Sequence, residues 1–174
     1  LTFLGTGAQT ATLNGYDIPN GLVTIDNASG VTFVGTASLN GSGQDLTIAT
    51  GKLTISTSGL TVTDLLTLNA GTTLEIPSYA PVTTARSSLD TTSIVKYTPV
   101  TNAVNNTINL NSFATAFGYL EINSSEIGDV YQLSEDTTIH NELKLANATT
   151  KVEHAAGVLT LKTNLNNLGG SFVS

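Results

Sequence analysis

The chain has 174 residues, enough to bury a substantial core, and carries six Lys and Arg against thirteen Asp and Glu, for a formal net charge of −7. Cations this few and this scattered disfavour a nucleic-acid surface, because phosphate binding needs clustered Lys and Arg. The absence of Cys removes disulfide and thiolate chemistry, and no apolar run approaches the ~20 residues of a membrane span, so no bilayer crossing is expected.

In chain order the candidate strands are Leu1–Leu4, Thr10–Leu13, Leu22–Ile25, Val31–Val34 and Ala37–Leu39. Four near-identical triplets follow, centred on Thr47, Thr54, Thr61 and Thr67, and then Thr73–Ile76. Each triplet is apolar, polar, apolar, so a strand there turns two side chains inward and one Thr outward. The connections, such as Asn14-Gly15, Asn27-Ala-Ser-Gly30, Asn40-Gly-Ser-Gly43 and Asn69-Ala-Gly71, hold residues that tolerate positive φ or bond their own backbone. Three such strands with their turns make roughly 20 to 24 residues, the length of one coil of a parallel β-solenoid. A right-handed parallel β-solenoid of short strands is therefore expected, with an antiparallel β-sandwich as the alternative that also alternates and turns. Helical spacing is confined to Ala80–Ser93 and Ser112–Gly118, both too short or too Thr-rich to carry a helix assignment.

A longer correspondence lies above the triplets. Val23-Thr-Ile25 matches Leu120-Glu-Ile122, and Leu46-Thr-Ile48 matches Leu143-Lys-Leu145, both at an offset of 97 residues, while Leu1-Thr-Phe3 answers Val95-Lys-Tyr97 at 94. This divides the chain into a first unit at 1–76, a Pro-, Thr- and Ser-rich linking excursion at 77–93, and a second unit at 94–174. The chain opens in strand-like sequence without Met, as expected of a processed product or a piece of something longer.

Three passages, Leu1-Thr-Phe-Leu-Gly-Thr-Gly-Ala-Gln-Thr10, Leu22-Val-Thr-Ile-Asp-Asn-Ala-Ser-Gly-Val31 and Leu46-Thr-Ile-Ala-Thr-Gly-Lys-Leu-Thr-Ile55, resemble the repeat units of large secreted β-solenoid surface and adhesin-like proteins of Bacteroidota and their relatives. The likeness covers most of 1–76 and, less cleanly, 94–173, where Thr98-Pro-Val-Thr-Asn102 replaces the Gly-Thr-Gly-Ala-Gln element. It implies an exported protein of the cell surface or extracellular space. It also implies O-glycosylation of the Asp-Thr-Thr sequences at Thr91 and Thr137, where the residues read by themselves make an Asx-type turn.

Candidate chemistry is sparse. Glu121, Glu126, Asp129, Glu135 and Asp136 form the one local concentration of acid, and a glycosidase would need two carboxylates about 5 to 10 Å apart across a groove; the better reading is a solvated surface. His140 and His154 are the only histidines, and no spacing supplies the three or four ligands of a zinc site. No catalytic residue, metal or cofactor is expected, and the outward Thr rows are read as ordinary strand surface, with lateral packing, adhesion or ice contact as lesser readings. Asn-x-Ser/Thr occurs at Asn27, Asn40, Asn105, Asn123 and Asn147.

The expected function is thus structural or adhesive rather than enzymatic, in a fibre, filament or adhesin whose main partner is itself, as a homopolymer or as neighbouring repeats of the same chain, with surface glycans as a second class. Leu1, Thr2, Phe3 and Leu4 at one end and Phe172 and Val173 at the other are the expected assembly edges, since unpaired strands template association. A carbohydrate-active or carbohydrate-binding β-helix is the alternative in another class, and a pilin-like subunit donating Leu1–Leu13 is a third.

Overall fold

A computed structural model describes residues 1–13, 18, 20–56, 59–102 and 104–173. The protein is all-β, about 58% strand, with parallel strands stacked as a β-solenoid of about 7 turns. Every strand pairing is parallel, which removes the antiparallel sandwich. In chain order the strands are β1 (Thr2–Leu4), β2 (Gln9–Thr12), β3 (Val23–Val34), β4 (Ala37–Leu39), β5 (Leu46–Ile55), β6 (Leu60–Leu68), β7 (Thr73–Pro77), β8 (Val82–Leu89) and β9 (Ile94–Thr98). They continue as β10 (Thr107–Asn109), β11 (Ala116–Ile122), β12 (Val130–Leu133), β13 (Thr137–Leu145), β14 (Lys151–His154), β15 (Leu159–Leu161), β16 (Asn164–Asn167) and β17 (Ser171–Val173). The Asn14-Gly15 turn, and Thr57 and Ser58 of a later connection, lie outside the described residues.

The triplets build three faces. On the first, Phe3, Ile25, Ile48, Leu68 and Leu89 stand in register as an inward column beside an outward column of Thr2, Thr24, Thr47, Thr67 and Ser88. On the second, the inward column runs from Gln9 through Val31, Leu53, Leu74, Val95, Leu120 and Leu143 to Leu165 without a break. Its outward neighbours are Thr10, Thr32, Thr54, Glu75, Lys96, Glu121, Lys144 and Asn166. The third face carries Ala37, Leu60 and Val82, and then, in a separate sheet, Ile108, Tyr131, Val152 and Phe172. Alternation thus becomes burial: Val31, Leu53, Leu74, Val95, Leu120 and Leu143 are all buried, and the Thr and charged residues between them stay half-buried. A fully buried Leu, Ile or Phe contributes about 1.5–3 kcal/mol by leaving water, so these columns are the main source of stability.

Two expectations about organisation are corrected. The stretch 77–93 is no excursion, because β8 lies within it and pairs with β6 from Leu60↔Val82 to Leu68↔Leu89. Likewise β7 pairs directly with β9, so one continuous ladder joins 1–76 to 94–174. The 97-residue correspondence links different faces: Leu46-Thr-Ile48 lies on the first and Leu143-Lys-Leu145 on the second. Leucine-flanked triplets are interchangeable among faces because each asks only for two buried side chains and one outward one.

The real irregularity comes later. Between β8 and β10 the third face changes sheet, and β8 has β6 as its one strand partner among the described residues. Leu110–Ser112 forms a 3-10 turn capped by Asn109, whose side-chain oxygen accepts from the Asn111 amide at 2.9 Å. Inside this region Tyr97 and Tyr131 meet edge to face with ring centroids 5.2 Å apart, and the Tyr131 hydroxyl donates to the Ser78 carbonyl at 2.6 Å.

Candidate functional site

The expected assembly edges lie at opposite ends of the solenoid. β1 and β2 each pair only with β3 among the described residues, and β15, β16 and β17 pair only backward, with β13, β13 and β14. Columns that are sealed in the interior are open here. Leu143 is 0% exposed and its column neighbour Leu165 is 50%; Val152 is 0% and Phe172 is 38%. Val173 is exposed too, as are Leu1, Thr2 and Leu4, while Phe3 is half-buried against Phe33, ring centroids 5.5 Å apart. None of these five end strands contains a charged residue or Pro, the devices that usually blunt an open strand edge. Leu165 and Leu168 belong to this surface as well, beyond the edge residues expected from the sequence.

The acidic residues do not converge. Glu121 sits in the outward column between Lys96 at 3.7 Å and Lys144 at 3.3 Å, a charge ladder on the second face. Asp129, expected on a solvated surface, is fully buried, and its carboxylate accepts from the Asn106 amide and side chain at 2.9 and 3.0 Å and from the Ser124 hydroxyl at 3.0 Å. Glu126 leaves one buried carboxylate oxygen without a partner, and Glu135 and Asp136 are exposed. His140 lies half-buried in β13 and His154 ends β14, with no group of three metal-ligating side chains among the described residues.

The electrostatic ladder is exposed enough to be worth little. The Glu121→Gln variant is expected to lose less than about 1 kcal/mol of stability, with the loss shrinking further at high salt. Urea denaturation at two ionic strengths checks this, and a larger, salt-insensitive loss would mean that Glu121 has a role beyond pairing.

Turn chemistry accounts for the modification-like motifs. Asp90 accepts from both the amide and the hydroxyl of Thr92 at 2.7 Å, and these bonds, the hydroxyl's first, hold its carboxyl below the usual range. Thr91, between them, is exposed. Thr137 is buried, and its hydroxyl donates to the Glu135 carbonyl while accepting from the Asn111 side chain, each at 2.9 Å. Only Thr91 of the two presents itself to a modifying enzyme in the folded chain. Asn27 and Asn147 likewise turn their side-chain oxygens onto the amide two residues ahead, Ser29 at 2.9 Å and Thr149 at 3.2 Å. Their Asn-x-Ser/Thr sequences are corners of the coil.

Compared with known proteins, the chain matches no family model, no curated protein and no solved structure.

Proposed function

We propose that this chain is a rigid structural module of an extracellular or cell-surface fibre or adhesin, which reaches outward by stacking coils and joins its neighbours through its two ends. The observation that carries the reading is the exposure of the apolar columns at both ends of the described solenoid, with Phe3 half-buried at one end and Leu165 and Phe172 exposed at the other, on strands without charge. Each new coil placed on such an end would continue every ladder in register, adding backbone hydrogen bonds and burying the open column members together. The occupant is a further coil, either of a neighbouring repeat of the same chain or of a second copy whose β1 and β2 meet β15–β17.

Association by the ends should depend on concentration. Sedimentation velocity across a wide concentration range, with electron microscopy of the same samples, should show rods growing along their axis. The Leu165→Asp, Phe172→Asp double variant should hold the chain at the length of one solenoid. A parent chain that stays monomeric at every concentration, or a double variant that still elongates, overturns the reading.

A further inference from the structure

The break between β8 and the following coil leaves an open groove of about 440 Å³, lined by Thr84–Ser87 along β8 and by Asn111–Thr115 on the other side. Its far wall is fixed at both edges. Ser112 donates to the Val82 carbonyl at 2.5 Å, while the Asn111 side chain donates to the Thr137 hydroxyl at 2.9 Å and accepts from the Ser134 amide at 2.6 Å. Phe113 packs edge to face on Phe117 beneath it, ring centroids 5.6 Å apart. The groove is therefore preformed, and one of its walls is a strand.

That strand is half used. β8 is paired with β6 on one edge, and among the described residues no strand pairs the other. Backbone groups alternate sides along a strand, and the Asp90 amide donates to Leu68 of β6 at 2.9 Å, so Ser87 and Leu89 direct their amides and carbonyls away from β6. No carboxylate lines the groove, and Arg86 is its one charged residue. The Arg86 guanidinium spends its Nε and one terminal nitrogen on a single Asp64 oxygen and keeps further donors in its fork.

We propose that this groove is a docking site for an extended acidic peptide, which adds to the free edge of β8 as a strand and sets a carboxylate against Arg86. The model for the ligand is β6 itself. It already runs along the near edge of β8 with Leu65 opposite Arg86 and its Asp64 carboxylate on the guanidinium, so a strand of like sequence laid on the far edge, past the Val82 carbonyl that Ser112 already occupies, would set its own Asp beside the same guanidinium.

The test uses the full chain and a fluorophore-labelled synthetic peptide of the β6 sequence, Leu-Thr-Val-Thr-Asp-Leu-Leu-Thr-Leu, titrated by anisotropy, with amide chemical shifts mapped by NMR. Saturable binding is expected, with shifts centred on Ser87 and Leu89. Ser87→Pro removes one outward amide and leaves the β6 ladder intact, and should weaken binding about tenfold or more, the equivalent of one good hydrogen bond. Replacing the peptide's Asp by Lys should weaken it severalfold. If Ser87→Pro unfolds the chain, the amide map of the parent protein decides by itself. Shifts confined to the end strands β1, β2 and β15–β17, no saturable binding, equal binding by the Ser87→Pro variant, or a soluble oligosaccharide shifting Ser87 and Leu89 where the peptide does not, would each overturn the proposal.

Discussion

Substituting Gly51 by Ala is expected to destabilise the solenoid by on the order of 3 kcal/mol or more, while the same change at Gly71 costs about 1 kcal/mol. Both glycines have φ of +69°, so both variants bear the same left-handed backbone penalty. They differ in what a Cβ would meet. At Gly71 nothing lies within 4 Å, whereas at Gly51 a Cβ would come within 2.1 Å of the Asn27 carbonyl oxygen and 3.0 Å of the Ala28 Cα. The obstacle is backbone and cannot rotate aside. Asn27 is also fixed, fully buried and bonded through its side chain to the Gly7 carbonyl at 2.9 Å and the Ser29 amide at 2.9 Å. Relief would require β3 and β5 to separate at this corner, where their register already shifts between Asn27 and Val31. Urea midpoints of the two variants against the parent decide the matter. Equal losses would show that the corner can yield and that the close approach of coils at Gly51 does not constrain the fold.

How legible the fold was depended on what each coil buried. The Leu-Thr-Ile and Leu-Thr-Val triplets announce themselves because both inward residues are aliphatic and the outward one is Thr, and their strands appear where expected, from Leu46–Ile55 to Thr73–Pro77. β8 was invisible for a physical reason. Val-Thr-Thr-Ala-Arg-Ser-Ser-Leu faces an incomplete coil on one side, so its later positions need no aliphatic residue and it reads as a linker. The strands of the separate sheet were hard to see because their interior is partly polar: Tyr131 and Asp129 are both buried, with Ser124 and Thr150 beside them. A carboxylate in sequence suggests solvent, and nothing near Asp129 signals that Asn106 will come to it from the preceding coil. The end surfaces were legible in part, since Leu1–Leu4 and Phe172-Val173 alternate; the groove was not, because it arises from a strand that does not form beside β8.

The polar corner of this later region should be as costly to disturb as any apolar position. Asn147→Ala is expected to lose about 3 kcal/mol or more, since buried partners left without hydrogen bonds cost about 1–3 kcal/mol each. The Asn147 amide donates to the Asn123 side chain at 2.5 Å and to the Ser124 carbonyl at 2.7 Å. Its oxygen accepts from the Thr150 amide at 3.1 Å and hydroxyl at 2.9 Å, and from the Thr149 hydroxyl at 2.8 Å. Ser124 and Thr150 are buried, so water cannot replace these bonds without opening the coil. The Asn147→Asp variant separates the two halves of the side chain. It keeps the accepting oxygen but turns the donating nitrogen into a second oxygen facing the Ser124 carbonyl and the Asn123 oxygen, which repels while ionised and can donate a proton once neutral. Comparing the two variants therefore apportions the loss between the accepting oxygen, which both the parent and Asn147→Asp keep, and the donating nitrogen, which only the parent has. Urea midpoints of parent and both variants at neutral pH are the measurement. A loss for Asn147→Ala under about 1 kcal/mol would mean that the corner is held by its backbone turns and that Asn147 only decorates it.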